Sequence, residues 1–250
     1  MQARIVHSSN GARWLMEGWR LFRAAPFGWF ALVFAYLLLT NLVMLVPIVG
    51  VGAFLILYPA LSVGLMAAAR AAAARAPLEL NMLFDGLRHG WRVQVLLGAV
   101  YLACSMVVFS GAVFADGEEG LRAVLSGKRR PDEMALGDLL TPLAVVGLLY
   151  TPVLMLFWFA PQLAAWHGLS AGKSLFFSFM ACLMNWRALF VYGVATALVT
   201  CALAAGTLLA ASVLSAKVVP TLLVLPLAIL LLPTLFASFY ASYRDVFAGD

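Results

Sequence analysis

Residues 27–69 read FGWFALVFAYLLLTNLVMLVPIVGVGAFLILYPALSVGLMAAA and contain no Asp, Glu, Lys or Arg. A helix needs about 20 apolar residues to cross the hydrocarbon of a bilayer. The stretch is therefore long enough to cross twice, at 27–46 and 48–69, with Pro47 at the turn. Four further charge-free runs follow, at 93–115, 139–165, 188–216 and 218–243. In hydrocarbon every backbone N–H and C=O must pair internally, which leaves helices or closed barrels. Barrel strands alternate over about 10 residues, whereas these runs are continuous and rich in Leu and Ala. The sequence predicts an all-α polytopic membrane bundle of six transmembrane helices, with 1–250 forming a single transmembrane domain.

Composition agrees. Of 250 residues, 64% are hydrophobic and 11% charged, against about 25% charged in a soluble domain. The net charge of +5 is informative through its placement. Only Arg122, Lys128, Arg129, Arg130 and Lys217 fall on the side opposite the N-terminus; every other Lys and Arg falls on the N-terminal side. Cytoplasmic loops hold the excess of Lys and Arg, so both termini are expected in the cytoplasm of a bacterial inner membrane. Residues 116–138 are then a solvated periplasmic loop, with a short surface helix around 119–125. Arg residues at span ends do not form the single basic face that nucleic acid requires, so no nucleic-acid partner is expected. No secretory signal peptide is apparent: Arg4, Arg13, Arg20 and Arg23 precede an apolar run too long for a signal.

The six runs pair into three hairpins, each preceded by an amphipathic stretch on the cytoplasmic side. In the first, about 12–25, Leu15, Gly18, Trp19 and Phe22 share a face opposite Arg13, Glu17 and Arg20. Such acid–base spacing allows pairing on a helix. In the second, about 78–90, Leu80, Leu83, Phe84 and Leu87 oppose Asn81, Asp85 and Arg88. The third, about 170–186, sets Leu175, Phe176, Phe179 and Leu183 against the uncharged Ser174, Ser178, Ala181 and Asn185. Gly18-Trp19-Arg20, Gly90-Trp91-Arg92 and Asn185-Trp186-Arg187 recur near the membrane entrances. Pro59, Pro161 and Pro233 recur in the second span of each hairpin. These echoes point to a triplicated helix-plus-hairpin unit.

No chemistry announces itself. His7, His89 and His167 lack neighbouring ligands at metal spacing, and phosphate-cradling glycine loops are missing. Cys104, Cys182 and Cys201 are isolated and read as packing residues. No cofactor, metal or catalytic set is expected. An enzyme would need a distant cluster such as Asp85, His89 and His167 on one surface. The spans hold no ionisable group of the kind that marks coupled carriers. Interior prolines remove helix hydrogen bonds and favour kinks. Pro59, Pro152, Pro161, Pro226 and Pro233 are thus candidates to line a groove, with Gln162 bonding backbone freed by Pro161. Small residues in the fifth run, Gly193 and Gly206 among them, predict close helix approach there.

The stretch 173–193, KSLFFSFMACLMNWRALFVYG, and the opening Glu17-Gly18-Trp19-Arg20-Leu21-Phe22 with Pro26 and Trp29 resemble a family of bacterial six-span inner-membrane proteins. They resemble, more distantly, the membrane domain joined to some glycerophosphodiester phosphodiesterases. The likeness covers the layout of most of the chain but only short motifs. It departs at Phe176, Phe177 and Met180, where basic residues would be expected. It implies an inner-membrane protein without the phosphodiesterase barrel. The leading expectation is a non-enzymatic protein that organises lipid or a membrane protein partner through its cytoplasmic rim. Arg13, Arg20, Arg23, Arg88, Arg92 and Arg187 would meet anionic headgroups, while Trp19, Trp91 and Trp186 set depth. The alternative is a transporter or flippase-like protein for a neutral or amphiphilic substrate. The sequence gives no oligomeric state.

Overall fold

The computed structural model describes residues 3–47, 49–125, 136–213 and 230–247. Residues 126–135 of the loop and 214–229, including Pro220 and Pro226, lie outside the described residues. Every regular element among the described residues is a helix, and five of these helices are long and apolar enough to cross a membrane. The sixth apolar run is described only from residue 230 onward.

The N-terminal helix α1 (Asn10–Ala24) stops where Pro26 begins α2 (Pro26–Met44). Proline suits the first helical position because its missing N–H has no partner there anyway. It also pushes the preceding residue out of helical geometry; Ala25 has φ −148° and ψ 61°. Helix α3 (Val49–Ala73) runs unbroken through Pro59. Arg75 closes it in the left-handed region, with Ala76 N–H bonded to the Ala71 carbonyl and Arg75 N–H to that of Ala72. This wrap satisfies the last helical carbonyls, and Pro77 follows it.

The second amphipathic stretch is not the single helix its periodicity suggests. It is a 3-10 turn over Leu80–Phe84 followed by one α-turn, α4 (Asp85–Arg88). The apolar stripe is split: Leu83 is buried, while Leu80 and Phe84 are exposed. Helix α5 (Trp91–Leu125) continues past the third apolar run, so residues 119–125 extend a long helix rather than forming a separate short one.

The fourth run is broken. Helix α6 (Leu136–Phe157) ends before Trp158, and α7 (Ala160–His167) restarts with Pro161 in its first turn. The Pro161 ring cannot donate to the Phe157 carbonyl and crowds it. Helices α8 (Ala171–Met184), α9 (Trp186–Val213) and α10 (Leu232–Phe247) complete the order.

Helices α3, α7 and α10 carry the recurring prolines and are the most buried; Pro59, Pro161 and Pro233 all face protein. Each amphipathic segment packs on a helix that carries one of these prolines. The Leu80–Arg88 segment lies on α3, α8 lies on α6 and α7, and α1 lies on α10. Two glycines make equivalent close approaches. A Cβ on Gly86 would collide with the carbonyl of Ala60, one residue after Pro59. A Cβ on Gly18 would collide with the carbonyl of Thr234, one residue after Pro233. Among the described residues the close approach to the fifth run lies near its start, where a Cβ on Gly11 of α1 would collide with the Ala188 carbonyl, and not at Gly193 or Gly206. Cβ atoms on Gly193 or Gly206 would meet nothing within 4 Å, and only 11% of the apolar window of α9 is buried.

Candidate functional site

All nine rim residues anticipated from sequence are exposed: Arg13, Trp19, Arg20, Arg23, Arg88, Trp91, Arg92, Trp186 and Arg187. Their tryptophans are not bare. The Arg23 guanidinium stands over Trp19 at 5.6 Å, Arg92 over Trp91 at 5.5 Å and Arg187 over Trp186 at 5.5 Å. A cation within about 6 Å of an indole centroid is held by the ring quadrupole. The pairs stand in α1, just before α2, and at the starts of α5 and α9. An apolar ring tipped with a cation suits the boundary between acyl chains and headgroups.

The helix behind the first pair is fixed by polar contacts that sequence reading missed. The Asp245 carboxylate in α10 accepts hydrogen bonds from Asn10 Nδ2 at 2.8 Å and Trp14 Nε1 at 2.9 Å, and pairs with Arg4 at 3.0 Å. Glu17 pairs with Arg20 at 3.6 Å, as its spacing allows, and with Arg244 at 3.2 Å. The segment before α1 is clamped as well. Asn185 Oδ1 accepts the Val6 N–H at 2.8 Å, its Nδ2 donates to the Arg4 carbonyl at 3.0 Å, and Arg4 N–H donates to the Val246 carbonyl. The two ends of the described chain thus meet.

The third amphipathic segment is inverted relative to α1. Ser174, Ser178, Ala181 and Asn185 face the protein, while Phe176, Phe177, Met180, Leu183 and Met184 face outward. Of the two buried serines, Ser178 has a task. Ser178 Oγ accepts the Phe159 N–H freed at the break and donates to the Met155 carbonyl. The Pro161 carbonyl accepts from Gln94 Nε2 at 2.8 Å. Backbone at the proline break is therefore satisfied by Ser178 and Gln94, not by Gln162 as expected.

Gln162 instead lines a central cavity of about 100 Å³ with Tyr36, Tyr58, Ser62, Tyr101, Tyr150 and Trp158. Its Nε2 reaches Ser62 Oγ at 3.5 Å. Its Oε1 and Trp158 Nε1 have no hydrogen-bond partner among the described residues. Tyr101 and Tyr150 hydroxyls share a 2.6 Å hydrogen bond. Pro59 and Pro161 are buried beside this cavity, Pro152 points away from the protein, and Pro226 lies outside the described residues. A site for a drug-sized molecule occupies roughly 300–1,000 Å³; this cavity suits a few waters, and its orphan donor and acceptor would both bond to them.

The histidines take separate partners. His89 Nδ1 lies 3.2 Å from Asp85 Oδ1, the contact their four-residue spacing predicts. His167 Nε2 and the Tyr243 hydroxyl are 2.7 Å apart. Among the described residues no group of His, Cys, Asp and Glu could hold a metal ion. Arg70 stacks on Trp166 at 4.6 Å, tying α3 to α7.

Over 254 aligned positions the chain is 34% identical to a probable inner membrane protein of Burkholderia thailandensis, covering 99% of this chain and 94% of that one. No family model matches, and no solved structure matches.

Proposed function

This chain belongs to the family of that Burkholderia inner membrane protein, and we propose that it is a non-enzymatic organiser of membrane lipid acting through a cytoplasmic rim. The proposed topology has six spans in three hairpins with both termini in the cytoplasm. Two observations favour it. The described chain ends meet, as an even number of spans requires. Each amphipathic segment also leans on the hairpin before it, with α1 on α10 closing the ring.

The observation that carries the functional reading is the set of three exposed Arg–Trp pairs, one per unit. Anionic headgroups attract each nearby Arg by about 1 kcal/mol, and several such contacts acting together select an anionic lipid surface. The test replaces Arg13, Arg20, Arg23, Arg88, Arg92 and Arg187 by Gln in the purified chain. Lipid co-purifying from the inner membrane is then compared with wild type. The proposal expects the phosphatidylglycerol and cardiolipin fraction to drop towards bulk composition. An unchanged anionic fraction would count against it.

The tyrosine-lined cavity favours a second reading, a transporter or flippase-like protein for a neutral or amphiphilic substrate. Its volume of about 100 Å³ requires α3, α6 and α10 to part before any such substrate could pass. Tethering α3 to α6 with a cysteine pair across the cavity would abolish transport on this reading and leave the rim reading untouched.

A further inference from the structure

Helix α1 lies over both α9 and α10. An apolar groove of about 330 Å³ remains, lined by Leu15, Met16 and Trp19 of α1, Val199 and Leu203 of α9, and Leu230, Leu231 and Thr234 around the start of α10. A second pocket, of about 530 Å³, lies along the charged side of the same helix. Arg4, Arg13, Arg20 and Arg244 line it, against the acids Glu17 and Asp245 alone. Both acids are already engaged, Glu17 by Arg20 and Arg244, Asp245 by Arg4. Arg13 has no acidic partner among the described residues. The pocket therefore keeps uncompensated positive charge. Met16 lines both pockets, so the cationic pocket and the apolar groove adjoin.

We propose that one anionic phospholipid is held in fixed register across α1, its phosphate over Arg13 and Arg20 and one acyl chain along Leu203, Leu230 and Leu231. The proposal rests on the rim reading and deepens it, by giving one of the three rim segments a single seat rather than diffuse attraction. Three observations select this occupant. The cationic excess demands an anion. The groove presents almost no polar surface, so the anion must carry a hydrocarbon tail. The groove also opens beside α9, the most outward of the spanning helices, where membrane lipid is the surrounding medium. The Trp19 ring is shared, since it lines the groove and carries the Arg23 guanidinium.

The full-length chain in detergent is mixed with phosphatidylglycerol or phosphatidylcholine and examined by native mass spectrometry. One phosphatidylglycerol should survive desolvation where phosphatidylcholine does not. Arg13→Gln and Arg20→Gln should each weaken retention about fivefold. Leu203→Trp, which fills the groove and leaves every rim Arg in place, should release the retained lipid while general adsorption to phosphatidylglycerol vesicles persists. That pairing separates the seat from the rim. If a variant with Arg23, Arg88, Arg92 and Arg187 replaced by Gln, and Arg13 and Arg20 kept, enriches anionic lipid as wild type does while Leu203→Trp ejects one molecule, the rim reading fails and the seat stands. In case Leu203→Trp disturbs folding, wild type is also irradiated with phosphatidylglycerol bearing a photoreactive acyl chain. Crosslinks should then fall on Val199–Leu203 and on Leu230–Thr234. Equal retention of phosphatidylcholine, crosslinks spread over α2 and α5, or displacement of the lipid by inorganic phosphate alone would each overturn the proposal.

Discussion

Helices α1 and α8 each precede a helix long and apolar enough to span a membrane, and both are amphipathic, yet they are built inside out relative to one another. Helix α1 turns Trp14, Leu15, Leu21 and Phe22 inward and leaves Arg13, Arg20 and Arg23 outside. Helix α8 turns Ser174 and Ser178 inward and leaves Phe176, Phe177 and Met180 outside. The medium explains the difference. A helix whose outer face meets water and headgroups buries its apolar side, as in a soluble protein. A helix whose outer face meets acyl chains gains nothing by burying leucine, because lipid is equally apolar. Small and hydroxyl side chains, which allow close approach and hydrogen bonding, then form the contact. The pair teaches that periodicity identifies a face but not the solvent it meets.

The largest expected effect tests the inward side of α1. Gly18→Leu would drive a side chain into the Thr234 carbonyl and Ser238. Overpacking of this kind costs about 1–3 kcal/mol or more, so the melting temperature in detergent should fall and amides 10–24 should exchange faster. Gly172→Ala in α8 meets nothing within 4 Å, and should leave melting unchanged or slightly raised. Equal losses for both would break the comparison.

The inward side of α8 comes next. Ser178→Ala strands the Phe159 N–H at the break, a penalty of about 1–3 kcal/mol for a buried donor. Ser174 Oγ has no partner among the described residues, so Ser174→Ala should be nearly neutral. A reversed order in thermal melts would show that the polar seam does not support the break.

The smallest effect concerns reactivity. Burial pushes the Cys182 thiol up to about 12, against the opposing pull of its Ser178 hydrogen bond. Its thiolate is therefore withheld at neutral pH and appears only as pH climbs towards that value. Since the thiolate is the reactive form, maleimide should leave Cys182 unlabelled at pH 7 in the folded chain. Rapid labelling would place α8 away from the protein.

Much of this fold was legible because hydrocarbon acts on composition alone. The expected 27–46 and 48–69 emerge as Pro26–Met44 and Val49–Ala73. The exposure of the nine Arg and Trp positions was legible too, since Arg and Trp beside an apolar run have few other places to go. Partners distant in sequence were not. Gln94 reaches the Pro161 carbonyl across 67 positions, and no local pattern marks it. Gln162 stood next to the proline and drew attention for that reason, but its side chain turns to the cavity. Nothing local marks Asp245, which meets Asn10 and Trp14 only through folding. Gly193 and Gly206 of α9 meet no neighbour within 4 Å, because small side chains permit close packing without causing it.

The most direct test of the rim is depth. Single spin labels replacing Trp19, Trp91 and Trp186 in the reconstituted chain would be compared by their accessibility to oxygen and to a water-soluble nickel reagent. The account predicts one common depth at the headgroup boundary of a single leaflet. A label in the opposite leaflet, or one buried at the bilayer centre, would contradict it.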